Sequence, residues 1–259
     1  MKVVIVGASG ALGSRLADLL VARGDEVVRA SRATGVDAYA GTGLAEAFAG
    51  ADAVVDSLSL QTLKAEEAID FFESTATNIA RAAAQAGVAH VIVVSIVNAG
   101  DPAVNAKFGY YQGKAAQEAA YRKVLGPDIL TVFASVQWFE LAEQMMGSMS
   151  FGPVAAVPRM QCAPAAVSDV AVALADVVTA GPQDKATVEI AGPDRMDLVD
   201  VAKALAAQTG TPRWVVGVPV GGRAIRHGGL VPAAPDVVTT TTLGGWLAGR
   251  ERAQVGENR

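Results

Sequence analysis

Residues 3–16 read VVIVGASGALGSRL: a β-branched run that stops at Gly7 and then carries glycine at every third position, Gly7, Gly10 and Gly13. A strand-to-helix turn needs one glycine for its bend. A second lets a large anion lie against bare main chain, and a third lets the helix pack closely on the strand. Leu12, Leu16, Leu19 and Leu20 follow at helical spacing, so an amphipathic helix opens inside the motif. A Gly-x-x-Gly-x-x-Gly run is weak alone and informative between a strand and such a helix. Gly7, Ser9, Gly10, Ala11, Leu12 and Gly13 are therefore candidate phosphate-binding residues, their amides and the helix dipole facing the anion. The competing explanation, tight helix packing with no ligand, accounts for one glycine better than for three.

The rest of the chain repeats this rhythm. Val3–Val6, Glu26–Arg29, Ala53–Asp56, His90–Ser95, Ile129–Ala134 and Thr187–Ile190 read as strands, mostly without apolar–polar alternation, as expected of a sheet covered on both faces. Helical spacing appears between them, as in Ile69, Phe72, Ile79 and Ala83 before Gly87. The expected fold is α/β, a Rossmann-type doubly wound parallel sheet with a small C-terminal substrate-binding cap. Residues 1–137 form the nucleotide-binding core, to which 164–192 return; 138–163 are lid-like and 193–259 make the cap. Within the cap, Asp197 reads as an N-cap, Leu198, Val201, Ala202 and Leu205 as an inward stripe, Gly210 as a stop and Trp214–Val218 as a strand. The polar end RERAQVGENR reads as frayed.

Bulk composition removes several classes of function. The chain has 259 residues, about half of them apolar, enough for a sizeable core. A net charge of −5 argues against a nucleic-acid surface. The single cysteine, Cys162, permits no internal disulfide, and two histidines, His90 and His227, offer no zinc cluster, so no metal is expected. No secretory leader and no membrane-length apolar run are read, which suggests a cytoplasmic, soluble protein, with a homodimer possible.

The second strand ends in VVRASRATG. An NAD-binding fold usually holds a carboxylate here for the ribose 2′-hydroxyl; this chain has Arg29, Ser31 and Arg32. Guanidinium groups suit a 2′-phosphate, so NADP(H) is expected ahead of NAD(H), against the alternative of ordinary surface charge.

Together GASGALG, GVDAYAG, AGADAVVDS, VIVVSIV, GYYQGK and VQWFE resemble the atypical short-chain dehydrogenases/reductases, and among them the NmrA-like, NAD(P)H-binding oxidoreductases, over Lys2 to about Trp246. The resemblance implies that Asp37 meets the adenine amino group, although Ala38 stands where the family often has leucine. It implies that Asp56 and Ser57 run beneath the cofactor, and that Lys114 holds the nicotinamide ribose.

Tyr110 and Lys114 lie four apart and share a helix face. A nearby ammonium lowers a phenol pKa, and such a tyrosine can give a proton to a carbonyl oxygen as hydride arrives. Tyr111 competes if the helix starts one residue later. Ser95 is expected beside the same oxygen as a donor, or else as a serine satisfying backbone. After the fifth strand, Gln137, Trp138 and Phe139 are candidate substrate contacts among methionines that suit an apolar pocket or lid, or merely cap packing. His90, His227 and Cys162 read as structural. The expected function is an NADPH-dependent oxidoreductase reducing a carbonyl or quinone-like small molecule. A non-catalytic NADP(H) sensor of the NmrA type and a cofactor-retaining epimerase or isomerase are the alternatives.

Overall fold

Val3 and Ile5 pack with one apolar cluster, and Val4 and Val6 with another, all at most 2% exposed. The opening strand is thus buried on both faces, which accounts for its unbroken run of β-branched residues. The computed structural model describes residues 1–62, 64–182 and 185–257, the last five as backbone only. The first half of the chain runs β1 Lys2–Val6, α1 Ala11–Ala22, β2 Glu26–Ala30, α2 Leu44–Phe48, β3 Ala53–Asp56, α3 Ala65–Ala86, β4 His90–Ile96, α4 Pro102–Asn105, α5 Gly109–Val124 and β5 Leu130–Ser135. Next come α6 Phe139–Ser148, β6 Ser150–Phe151, β7 Val154–Pro158, β8 Gln161–Cys162, α7 Val167–Ala180 and β9 Thr187–Ala191. The chain continues through β10 Met196–Asp197, α8 Leu198–Thr209, β11 Trp214–Val218, α9 Arg223–Arg226, β12 Val237–Val238 and α10 Leu243–Glu257.

Seven strands form one sheet in the order β12-β9-β5-β4-β3-β1-β2, and every pair is parallel. Residues of α1 and α7 join the cluster on one face, and residues of α3 and α5 the cluster on the other. This is the Rossmann-type layering read from the sequence. From β1 the chain steps outward to β2 and then returns across to β3, so the connection reverses between β1 and β3. Ligands of open α/β sheets bind beyond the carboxyl ends of the strands at such a reversal.

A third cluster joins α6, β7, α8, α9 and α10 above that end of the sheet. Asp197 caps α8, its Oδ1 accepting from Val199 N at 3.0 Å, and Gly210 ends it at φ +75°. Three local expectations change. Ala68, not Ile69, faces the core on α3. Val237–Val238, expected in the cap, extend the main sheet beside β9. The polar end is helical through Glu257, with Asn258 and Arg259 outside the described residues, because Trp246 covers Phe139 at 5.3 Å and Arg250 forks onto Glu143 at 2.6 and 2.9 Å. Among the described residues no helix is long and apolar enough to cross a membrane.

His90, 1% exposed at the start of β4, bonds Thr131 Oγ1 at 2.9 Å and leaves Nδ1 without a partner among the described residues. Burial lowers its pKa to about 4. The unfolded chain therefore binds the extra proton first as pH falls, and stability should drop between about pH 6.5 and pH 4, by roughly 3 kcal/mol over the window. Melting temperatures across that range should show a steep fall in the parent protein and a flatter one in His90→Gln.

Candidate active site

The three glycines do three different things. Gly7 sits at φ +86°, a conformation side chains resist, and its N–H donates to Ala30 O at 3.1 Å. A Cβ on Gly13 would stand 2.4 Å from Gly7 O and 2.7 Å from Ser57 Oγ, so helix and strand meet there without space for a methyl. At Gly10 a Cβ would meet only Gly7 O, at 3.3 Å. Gly10 thus faces open space, flanked by exposed Ser9 and Ala11. No side chain caps α1, and among the described residues the N–H groups of Ala11, Leu12 and Gly13 have no partner. A dinucleotide pyrophosphate fits this cradle: exposed main chain, unpartnered amides and the positive end of a helix.

At the end of β2 the two arginines separate. Arg29 is tied to Asp18 at 2.6 Å, both exposed. Arg32 is exposed on the turn Arg32–Thr34 and has no acidic partner among the described residues. Ser31 precedes it, its N–H donating to Thr34 Oγ1 at 2.9 Å. Asp37 holds a tight turn, with Oδ1 accepting from Tyr39 N at 2.9 Å and Ala40 N at 3.1 Å. Asn78 fastens that turn to α3 through Ala38 O and Tyr39 O, each at 3.0 Å.

Beneath the cradle lies a buried polar network. Asp56, expected along the cofactor, is fully buried and turned into the α5 layer. Its Oδ2 accepts from Gln117 Nε2 at 2.8 Å and Tyr121 OH at 2.9 Å, and its Oδ1 from Leu58 N at 3.0 Å. Burial raises its pKa, with the Lys114 charge pulling it back. Ser57, not Asp56, supports the glycine turn, donating to Val6 O at 2.9 Å. Lys114 is 3% exposed and donates to Leu58 O at 3.2 Å, Val94 O at 2.9 Å and Gln117 Oε1 at 2.9 Å. An ammonium has three donors, and all are engaged. Burial brings its pKa down to about 8 against the opposing pull of Asp56 and Glu118.

The two tyrosines take different directions. Tyr110 is half-buried, edge-on to Phe72 at 5.6 Å, with its hydroxyl 3.0 Å from Ser59 Oγ. Burial raises its pKa and the Ser59 hydrogen bond opposes that rise. The expected lowering by Lys114 does not occur, because that ammonium lies 6.0 Å from the Tyr110 ring centroid and 4.4 Å above Phe72. Tyr111 is 3% exposed and packs into the cap, accepting from Gln137 Nε2 at 3.1 Å; burial pushes its phenol far up. Ser95 is not beside Tyr110 either. Its hydroxyl donates to Glu118 Oε1 at 2.5 Å, and Arg122 holds the other carboxylate oxygen at 2.9 Å.

Of the expected substrate contacts, Gln137 is 5% exposed and keeps Oε1 without a partner among the described residues. Trp138 Nε1 donates to Ser135 Oγ at 2.9 Å. Phe139 is 0% exposed and belongs to the cap core, where Trp246 closes over it, so packing replaces the expected substrate role. Ser59 was missed by the sequence reading. Its one signal was a second hydroxyl two residues beyond Ser57.

Residues 7–132 match the NAD(P)H-binding family. The chain thus carries an NAD(P)H-binding domain over those residues, set in a Rossmann-type fold. Its fold is similar across nearly the whole length to solved structures of low identity. The dTDP-4-dehydrorhamnose reductase of Bacillus anthracis in complex with NADP aligns at TM-score 0.68 and 15% identity, over 98% of this chain and 99% of that one. A short-chain dehydrogenase/reductase superfamily protein of Agrobacterium tumefaciens with bound NAD aligns at TM-score 0.66 and 14% identity, over 100% of both. The UDP-N-acetylglucosamine 4-epimerase of Bacillus cereus aligns at TM-score 0.68 and 13% identity, over 97% and 96%. No curated protein matches the sequence.

Replacing Lys114 by methionine strands three acceptors, two of them buried, and removes the countercharge of Asp56. Lys114→Met should lower the unfolding free energy by about 3–5 kcal/mol in chemical denaturation. Lys123→Met, at an exposed pair with Glu73, should change it by less than about 1 kcal/mol.

Proposed function

We propose that the protein is an NADPH-dependent oxidoreductase that reduces a carbonyl or quinone-like small molecule. The observation that carries this reading is the half-buried Tyr110 phenol, kept protonated by its surroundings, at the carboxyl end of the sheet that also bears the uncapped α1. The glycine turn, the amides of Ala11, Leu12 and Gly13, and Ser57 would hold the pyrophosphate side of the nucleotide. Arg32, free of any acidic partner among the described residues, with Ser31 beside it, would take a 2′-phosphate, and Asp37 would meet the adenine. Once bound, the reduced nicotinamide supplies hydride.

Tyr110 then has one task, to give a proton to the substrate oxygen. Its raised pKa keeps it protonated at neutral pH, and an alkoxide forming on the substrate is a far stronger base than phenolate, so the transfer runs downhill. This suits reduction better than the reverse direction, which needs phenolate as base. Lys114 contributes by holding Leu58 and Val94 in place. One observation favours a second reading, a nucleotide-binding redox sensor without turnover. Lys114 spends its donors, and Ser95 its hydroxyl, within the protein.

Two measurements test these assignments. In calorimetric titrations Arg32→Glu should weaken NADPH binding by about tenfold or more, as loss of a charge-assisted hydrogen bond implies, and leave NADH within about threefold. Equal losses would remove the case for 2′-phosphate recognition. With a panel of aldehydes, ketones and quinones, Tyr110→Phe should cut NADPH consumption by about 100-fold while nucleotide affinity stays near that of the parent. Full activity in that variant overturns the proton-donor role, and a parent that consumes no NADPH with any substrate points to the sensor.

A further inference from the structure

The geometry points to Ser59 as the hydroxyl that carries protons between solvent and Tyr110, taking the place beside the tyrosine at which Ser95 was expected. This rests on the reductase reading above. Among the described residues Ser59 is the sole hydrogen-bond partner of the Tyr110 hydroxyl, at 3.0 Å. The Ser59 side is exposed and the phenol half-buried, so the pair spans the step from water to the interior. The backbone just before Ser59 is anchored from two directions, with Leu58 N–H donating to Asp56 Oδ1 at 3.0 Å and Leu58 O accepting from Lys114 Nζ at 3.2 Å. Two buried charged groups, Asp56 and Lys114, therefore fix a segment whose next residue meets the tyrosine. Lys114 acts on Tyr110 through this segment, as a positioning residue, since its own ammonium faces Phe72.

The proton count closes without further components. As the substrate carbon accepts hydride from the reduced nicotinamide nucleotide, the Tyr110 O–H bond breaks and its proton goes to the substrate oxygen. The Ser59 hydroxyl proton passes to the Tyr110 oxygen, and water reprotonates Ser59. Ser59 is neither oxidised nor reduced and forms no covalent bond to substrate. Because Ser59 acts through Tyr110, its loss should slow turnover without weakening substrate binding. Ser95 lacks access to this path, its hydroxyl being held by a Glu118 carboxylate that Arg122 also grips.

The test has a spectroscopic arm that requires no turnover. In protein labelled with [13Cζ]tyrosine, the Tyr110 resonance is assigned by its disappearance in Tyr110→Phe. Ser59→Ala should shift that resonance, Ser59→Thr should restore it, and Ser95→Ala should leave it in place. In the kinetic arm, with NADPH and the carbonyl panel, Ser59→Ala should lower kcat about tenfold with KM within about twofold, and Ser59→Thr should recover most of the loss. An unmoved resonance in Ser59→Ala, or a kcat equal to that of the parent, overturns the relay. So does a rise in KM with kcat unchanged, which would make Ser59 a substrate-binding group. A parent that turns over no carbonyl, with the Ser59→Ala shift intact, overturns the reductase reading and the relay with it, leaving the contact a local hydrogen bond.

Discussion

A single buried ammonium organises the carboxyl end of the sheet. Lys114 enters from α5 and bonds a carbonyl just past β3, a carbonyl within β4 and a side chain of its own helix. Burying a lone charge is costly, and the structure compensates with three acceptors, the nearby Asp56 carboxylate and the face of the Phe72 ring. Helix α3, which brings Phe72, must approach α5 closely for this to work. Gly113 permits it: a Cβ there would stand 2.6 Å from the Phe72 ring and 2.9 Å from Ala68 O. The glycine next to Lys114 thus belongs to the same device as the lysine.

That device divides labour along the strand ends. Asp56 satisfies the buried side, and the adjacent Ser57 faces the glycine turn, where its Oγ closes the space between Gly7 and Gly13. The last residue of β3 and the one that follows it point to opposite sides, so one can serve a buried charge network while the next supports the glycine turn. The cradle itself needs little beyond backbone. At the end of β2 Arg29 is already neutralised by Asp18, while Arg32 has no acidic partner among the described residues.

The layers of the fold were legible because burial on both faces leaves a local trace, as in Val3–Val6, and the glycine roles were legible because φ and close approach are local too. The site was less so. Alternation along β4 places Ser95 on the face of Val91 and Val93, toward α5, and that periodicity was available to be read. So was the stripe Lys114, Gln117, Glu118 and Tyr121, a polar run at helical spacing that is buried and therefore requires a partner. Which partner it finds depends on Asp56, some 60 positions earlier, and sequence spacing carries no such information. Phe139 shows the same limit: its neighbours suit a pocket or a core equally, and Trp246, about a hundred positions later, decides for core.

Helix register separates the environments of the two tyrosines. Successive residues of an α-helix point about 100° apart, so Tyr110 and Tyr111 cannot both face the same side. Tyr111 turns to the cap, where Phe108 lies 5.0 Å from its ring and Gln137 holds its hydroxyl. Its phenol is buried, and burial raises its pKa. Tyr110 is left on the side of Ser59, protonated but in contact with an exposed hydroxyl. The cap fixes the register by burying Tyr111, and by doing so it leaves Tyr110 on the side of Ser59. A change that loosened the packing around Phe108 or Gln137 would therefore be felt at Tyr110 through helix orientation, without touching any atom of the site.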